Sequence, residues 1–220
     1  ESATAGYAYT IDLNENAVWE DGTPINADTY VYSMQQLLRP ELLNYRASDY
    51  YSGDRVIAGA QNYANQGQTK LLSITDAMAS AGITSLDEFL AEYGDQTAYI
   101  NWSYSFGYAY DFENYPFDGT TVDPAGLSLE ATDETVESPL TLSEMYVFYP
   151  QCYGTDEANI ALGQSYFPDE IYINWTYPSD LSFDTVGLYK SGDYQITIVF
   201  GKSLSGFNLL YSLTSNWIVY

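Results

Sequence analysis

The chain has 220 residues, with 6 Lys and Arg against 30 Asp and Glu for a net charge of -24, and 46% of its residues are hydrophobic. Aromatic residues supply 17% of it, far above the aromatic-poor composition of disordered acidic tails, so the acid coats a folded surface over an ordinary core. This field repels phosphate backbones and anionic lipid, which excludes nucleic acid as a partner, and the lack of any histidine removes Ser-His-Asp and Cys-His pairs and His-ligated zinc.

In chain order, Tyr7, Tyr9, Ile11 and Leu13 alternate and predict a half-buried strand over 7–13, closed by a turn at Asp21-Gly22-Thr23-Pro24. Asn26 is placed to cap a helix whose apolar residues Tyr30, Val31, Met34, Leu37 and Leu38 fall at helical spacing, ended by Pro40. A Tyr-rich loop over 44–53 and a short helix over 55–64 come next. A helical pair is expected over 73–81 and 85–93, broken at Gly82, with Ser85 and Glu88 as a capping box and Gly94 at the C-terminal cap.

The run Tyr99-Ile100-Asn101-Trp102-Ser103-Tyr104 recurs as Tyr172-Ile173-Asn174-Trp175-Thr176-Tyr177, an echo that reads as two similar strands, neighbours in one sheet. Thr141 and Glu144 predict a second capping box ahead of a helix ended by Pro150. Two strands within 186–200 turn at Ser191-Gly192-Asp193, a helix is expected over 205–213, and Trp217-Ile218-Val219-Tyr220 reads as a last strand. Short helices mixed with short strands favour α+β with a mixed sheet. The apolar finish, and a start without Met or an apolar leader, read as the bounds of an excised segment.

Little in the sequence carries reaction chemistry. Cys152 has no thiol or basic neighbour and reads as a buried structural thiol. Asp111 with Glu113, Asp133 with Glu134, and Asp169 with Glu170 are carboxylate pairs of the kind glycosidases use, but 30 acids produce such pairs by chance. Asp118 to Asp123 lacks the alternating ladder of a calcium loop and reads as a turn, and no glycine-rich phosphate loop occurs. No catalytic residue, metal or cofactor is assigned.

The run Trp19-Glu20-Asp21-Gly22-Thr23-Pro24-Ile25-Asn26-Ala27-Asp28-Thr29-Tyr30-Val31-Tyr32-Ser33 resembles the signature of the extracellular solute-binding proteins of family 5, the oligopeptide and dipeptide receptors of ABC importers. Leu37-Leu38-Arg39-Pro40, Asn44-Tyr45, Ile57-Ala58-Gly59-Ala60 and the segment from Val186 to Leu210 are similar to the helix end, tyrosine-bearing loop, helix and hairpin that come next in members of that family. The resemblance implies a subdomain of a two-lobed, type II periplasmic-binding-protein-like fold, with 1–67 and 185–220 as the family-like part and 68–184 as an insertion. It makes Trp19 a core anchor, and it makes Tyr45, Tyr50 and Tyr51 the candidate ligand contacts. It also implies an oligopeptide ligand held mainly by other lobes, ABC permease subunits as partners, a monomer, and an extracellular or periplasmic, lipid-anchored setting without catalysis. The alternative is an aromatic-rich surface module that grips carbohydrate or protein; solvent-facing Trp102 and Trp175 would favour it, and their burial would remove its support.

Overall fold

A computed structural model describes residues 5–53, 56–105, 107, 109–128 and 133–208. The chain folds as two compact units, Glu1–Gln68 with Tyr177–Tyr220, and Thr69–Thr176. The first unit opens with strand β1 (Ala5–Asp12), helix α1 (Ala27–Leu38) and helix α2 (Ala60–Asn65). The second holds β2 (Thr69–Ser73), α3 (Ile74–Ala81), α4 (Leu86–Tyr93), β3 (Thr97–Asn101), α5 (Trp102–Ser105), β4 (Ala109–Tyr110), β5 (Leu127–Ser128), β6 (Thr135–Thr141), α6 (Leu142–Gln151), α7 (Glu157–Glu170) and β7 (Ile171–Thr176). The chain then returns to the first unit as β8 (Leu188–Gly192) and β9 (Gln195–Ser205). The class is α+β, as expected.

In the first unit an antiparallel sheet runs β1-β9-β8, with Tyr9 opposite Ile198 and Ile11 opposite Ile196. The period of two turns Ile196, Ile198 and Phe200 inward, where they meet Met34 and Leu38 of α1 and Ala60 of α2. Tyr9, Ile11 and Leu13 pack against that cluster. Tyr7, expected on the same face, is exposed, because the register shifts between Gly6 and Ala8.

Helix α1 starts where its cap predicts. Asn26 Oδ1 accepts from the Thr29 backbone N–H at 3.2 Å, and Thr29 Oγ1 accepts from the Asn26 N–H at 3.3 Å. Lys190 Nζ ties the same helix start to the β8–β9 hairpin, 2.7 Å from Asp28 and 3.2 Å from Asp193. The turn before the helix holds Gly22 at φ +87°, with Trp19 N–H donating to Thr23 O at 2.8 Å. Trp19, expected as a core anchor, is half-buried there.

The helix expected over 55–64 begins only at Ala60. Ile57 instead bridges Phe200, and Gly59 sits at φ +71°, where an added Cβ would lie 2.0 Å from the Thr185 carbonyl oxygen. Strand β9 runs on to Ser205; most of the helix expected over 205–213 and the final strand at 217–220 lie outside the described residues.

In the second unit the sheet runs β2-β7-β3-β6, all antiparallel. The echoed segments are neighbours, with Tyr99 opposite Tyr172. The echo diverges at its second half: Trp102 opens a helical turn rather than extending the strand, whereas Trp175 stays in β7. Ala98, Ile100, Ile171, Ile173 and Trp175 alternate onto the buried face with Leu142, Met145, Phe148 and Tyr149 of α6 and Phe167 of α7. Helix α6 carries the expected box, Thr141 Oγ1 accepting from Glu144 N–H at 3.3 Å and Glu144 Oε2 accepting from Thr141 N–H at 2.9 Å. At α4 the Ser85 half of its box is present, Oγ accepting from Glu88 N–H at 3.4 Å.

Candidate ligand-contact loop

The loop after α1 is built from two 3-10 turns, Pro40–Leu42 and Ala47–Tyr50. Pro40 lacks an N–H, so α1 stops at Arg39 and the chain tightens, Leu43 N–H donating to Pro40 O at 3.2 Å. Leu43 takes the left-handed conformation at φ 46°, which costs a leucine roughly 1 kcal/mol. Asn44 staples the turn: its Nδ2 donates to Leu37 O at 3.2 Å and its Oδ1 accepts from Arg46 N–H at 3.1 Å.

The three candidate tyrosines separate by environment. Tyr50 and Tyr51 pack against the core of the first unit beside buried Ala47, and Tyr50 O accepts from Ile57 N–H at 2.9 Å. Tyr45 stands out from the surface at 81% exposure, flanked by Leu43 at 83% and Leu42 at 54%. Its hydroxyl accepts from Arg46 Nε at 2.9 Å, and the guanidinium lies 5.6 Å from the ring centroid. That hydrogen bond, with the field of the same phenol, raises the Arg46 pKa further, so the group is a permanent cation. The loop therefore offers an apolar surface, a phenol and a guanidinium on an anchored base. Sequence reasoning found Tyr45 but passed over Arg46 and the two leucines; the signal available was their adjacency in Leu42-Leu43-Asn44-Tyr45-Arg46.

The other candidates are structural. Trp102 and Trp175 are 4% and 6% exposed, which removes the tryptophan platform on which the surface-module alternative rested. Two of the acidic pairs contribute acceptors: Asn114 donates to Asp111 and holds that carboxyl below its usual range, and Asp169 accepts from Thr75 Oγ1 at 2.5 Å. Glu170 accepts from Tyr149 and Tyr153 inside the second unit; the i, i+4 spacing of the two tyrosines accounts for their meeting each other but not for Glu170. Asp118 Oδ1 accepts from Thr120 N–H and Thr121 N–H, each at 2.8 Å, which makes its segment a turn. Burial pushes the Cys152 thiol up to about 12, as suits a structural cysteine. Among the described residues no group of three His, Cys, Asp or Glu is placed to hold a metal, and no helix is long and apolar enough to cross a membrane.

Residues 1–134, more than half of the chain, match the family described as bacterial extracellular solute-binding proteins, family 5 Middle, and the chain belongs to that family. The matched stretch contains the whole candidate loop and runs past Thr69 into the second unit. Over 56 residues, 23% of this chain, it is 43% identical to the periplasmic oligopeptide-binding protein OppA of Salmonella typhimurium (strain LT2). The chain covers 10% of that relative's length. No solved structure matches it.

Proposed function

We propose that the protein carrying this chain captures oligopeptides outside the cytoplasm and hands them to the membrane subunits of an ABC importer, without chemistry on the peptide. The observation that carries this reading is family membership over residues 1–134, together with the 43% identity to an oligopeptide-binding relative. On this reading the protein acts as a monomer in an extracellular or periplasmic setting, tied to the membrane by lipid, and the net charge of -24 on this chain disfavours nucleic acid.

Within this chain Tyr45 is the ligand contact, while Tyr50 and Tyr51 hold the loop against the first unit's core. The family-like motifs lie in 1–67 and 185–220, and 68–184 is taken as an insertion between them, which the family match enters as far as residue 134. Titration calorimetry of the whole protein with mixed tripeptides tests the reading: saturable binding that Tyr45→Ala weakens supports it, and heats indistinguishable from dilution contradict it.

A further inference from the structure

We propose that the groove between α6 and α7 in the second unit binds a small uncharged secondary amide with an aliphatic body, whose N–H donates to the backbone carbonyl of Tyr146. The peptide-binding reading places no ligand in the second unit, and this site does not depend on it.

The groove follows from the way the two helices meet. Gly163 of α7 lies so close to α6 that an added Cβ would stand 2.6 Å from Pro150 Cα. Around that approach the helices leave a cavity of about 350 Å³, a size that small-molecule sites have. Val147, Pro150 and Ile160 give it apolar walls, and Tyr146, Thr155 and Gln164 bring polar atoms to it. None of the residues around it is charged, although the chain holds 30 acids. An ion entering it would lose hydration without meeting a counter-charge, and an anion would also meet the field of a chain of net charge -24. A neutral ligand avoids both costs.

The polar atoms define the ligand further. Pro150 sits inside α6 and has no N–H, so the carbonyl of Tyr146, one turn earlier, goes without its helical donor. Tyr146, Val147, Pro150 and Gln151 share the face of α6 that lines the groove, which sets this carbonyl at its border. Gln151 is already committed: its amide donates to Thr120 O and Val147 O, each at 2.9 Å, and accepts from Val122 N–H at 3.2 Å. The side chains of Thr155 and Gln164 have no hydrogen-bond partner among the described residues, and both can donate. A bare carbonyl calls for a donor, and Thr155 and Gln164 call for an acceptor. A secondary amide carries both, and its aliphatic body fits the walls of Val147, Pro150 and Ile160.

The test is a ligand-observed NMR titration of the whole protein with three probes: N-cyclohexylacetamide, cyclohexyl acetate, which has the same outline without the N–H, and cyclohexanecarboxylate. The amide is expected to bind roughly fivefold more tightly than the ester, the gain of one neutral hydrogen bond, and the carboxylate to show no binding. Pro150→Ala returns a helical donor to Tyr146 O without harming the helix, and is expected to bind amide and ester alike, at the ester's affinity. Val147→Glu, at a position 43% exposed, is expected to abolish binding of both while the melting temperature holds. The proposal is overturned by an amide preference that persists in Pro150→Ala, by amide binding that survives Val147→Glu, by carboxylate binding as tight as that of the amide, or by no amide binding to the unaltered protein.

Discussion

The indole Nε1 of Trp175 donates to the Ser80 hydroxyl oxygen at 2.8 Å, with both residues buried. The bond joins β7 to α3, and the ring also meets Phe89 and Tyr93 at centroid distances of 6.1 and 5.1 Å. A tryptophan used this way is a packing element whose one polar atom has been satisfied inside the protein. Ser80→Ala leaves the indole N–H without that acceptor and is expected to cost about 1–3 kcal/mol. Urea unfolding followed by tryptophan emission measures it; unchanged stability would show that the bond contributes nothing.

At the start of α1, Asn26 supplies one half of a reciprocal cap and Thr29 the other. Asn26→Ala is expected to destabilise the protein by about 1 kcal/mol, and Asn26→Asp to retain most of the stability because aspartate caps equally well. Circular dichroism during thermal unfolding distinguishes the two variants.

Tyr149 and Tyr153 share the Glu170 carboxylate inside the second unit. Burial, followed by hydrogen bonding to Glu170, raises the Tyr149 pKa, and burial pushes the Tyr153 pKa up to about 12. Both folded values lie above the ordinary value of 10.0, so the fold favours the neutral phenols. Their contribution to stability is complete below about pH 10 and is lost as the pH rises through the folded values. Denaturant midpoints recorded from pH 9 to pH 12 should therefore fall, and less steeply in Tyr153→Phe. Equal slopes in the two proteins would contradict the assignment.

Much of this was legible in the sequence where local chemistry dictates local structure. Asn26 ahead of a helical pattern, Thr141 with Glu144, and the turn at Asp21-Gly22 each form through contacts within a few residues, so their spacing suffices to place them. That the Tyr99 and Tyr172 segments are neighbours in one sheet was legible for another reason, because two like segments fit the same pleated surface; their antiparallel direction and register were not. Helix α7 was not foreseen. Gly163 and Pro168 interrupt it, and Ile160, Leu162 and Phe167 follow no single face, although Asp156 does cap it by accepting from Asn159 N–H at 3.1 Å. Strand β2 was also missed, since its place is set by pairing with β7, a hundred residues away in the chain.

The candidate loop after α1 shows the same division. Its tyrosines are visible in the sequence, but which of them faces solvent depends on Ala47 and Ile57 drawing Tyr50 and Tyr51 onto the core, and that contact is tertiary. Nor does the sequence reveal that Arg46 spends its Nε on Tyr45, because both side chains are exposed and their meeting results from the backbone of one turn.

On the function proposed above, the protein carries peptides and does not process them. The most direct measurement is mass spectrometry of the whole protein after incubation with a defined peptide pool and gel filtration. Intact peptides are expected to travel with the protein and to be released unchanged on denaturation. Protein that emerges free of peptide, or peptides recovered as fragments, would contradict that reading.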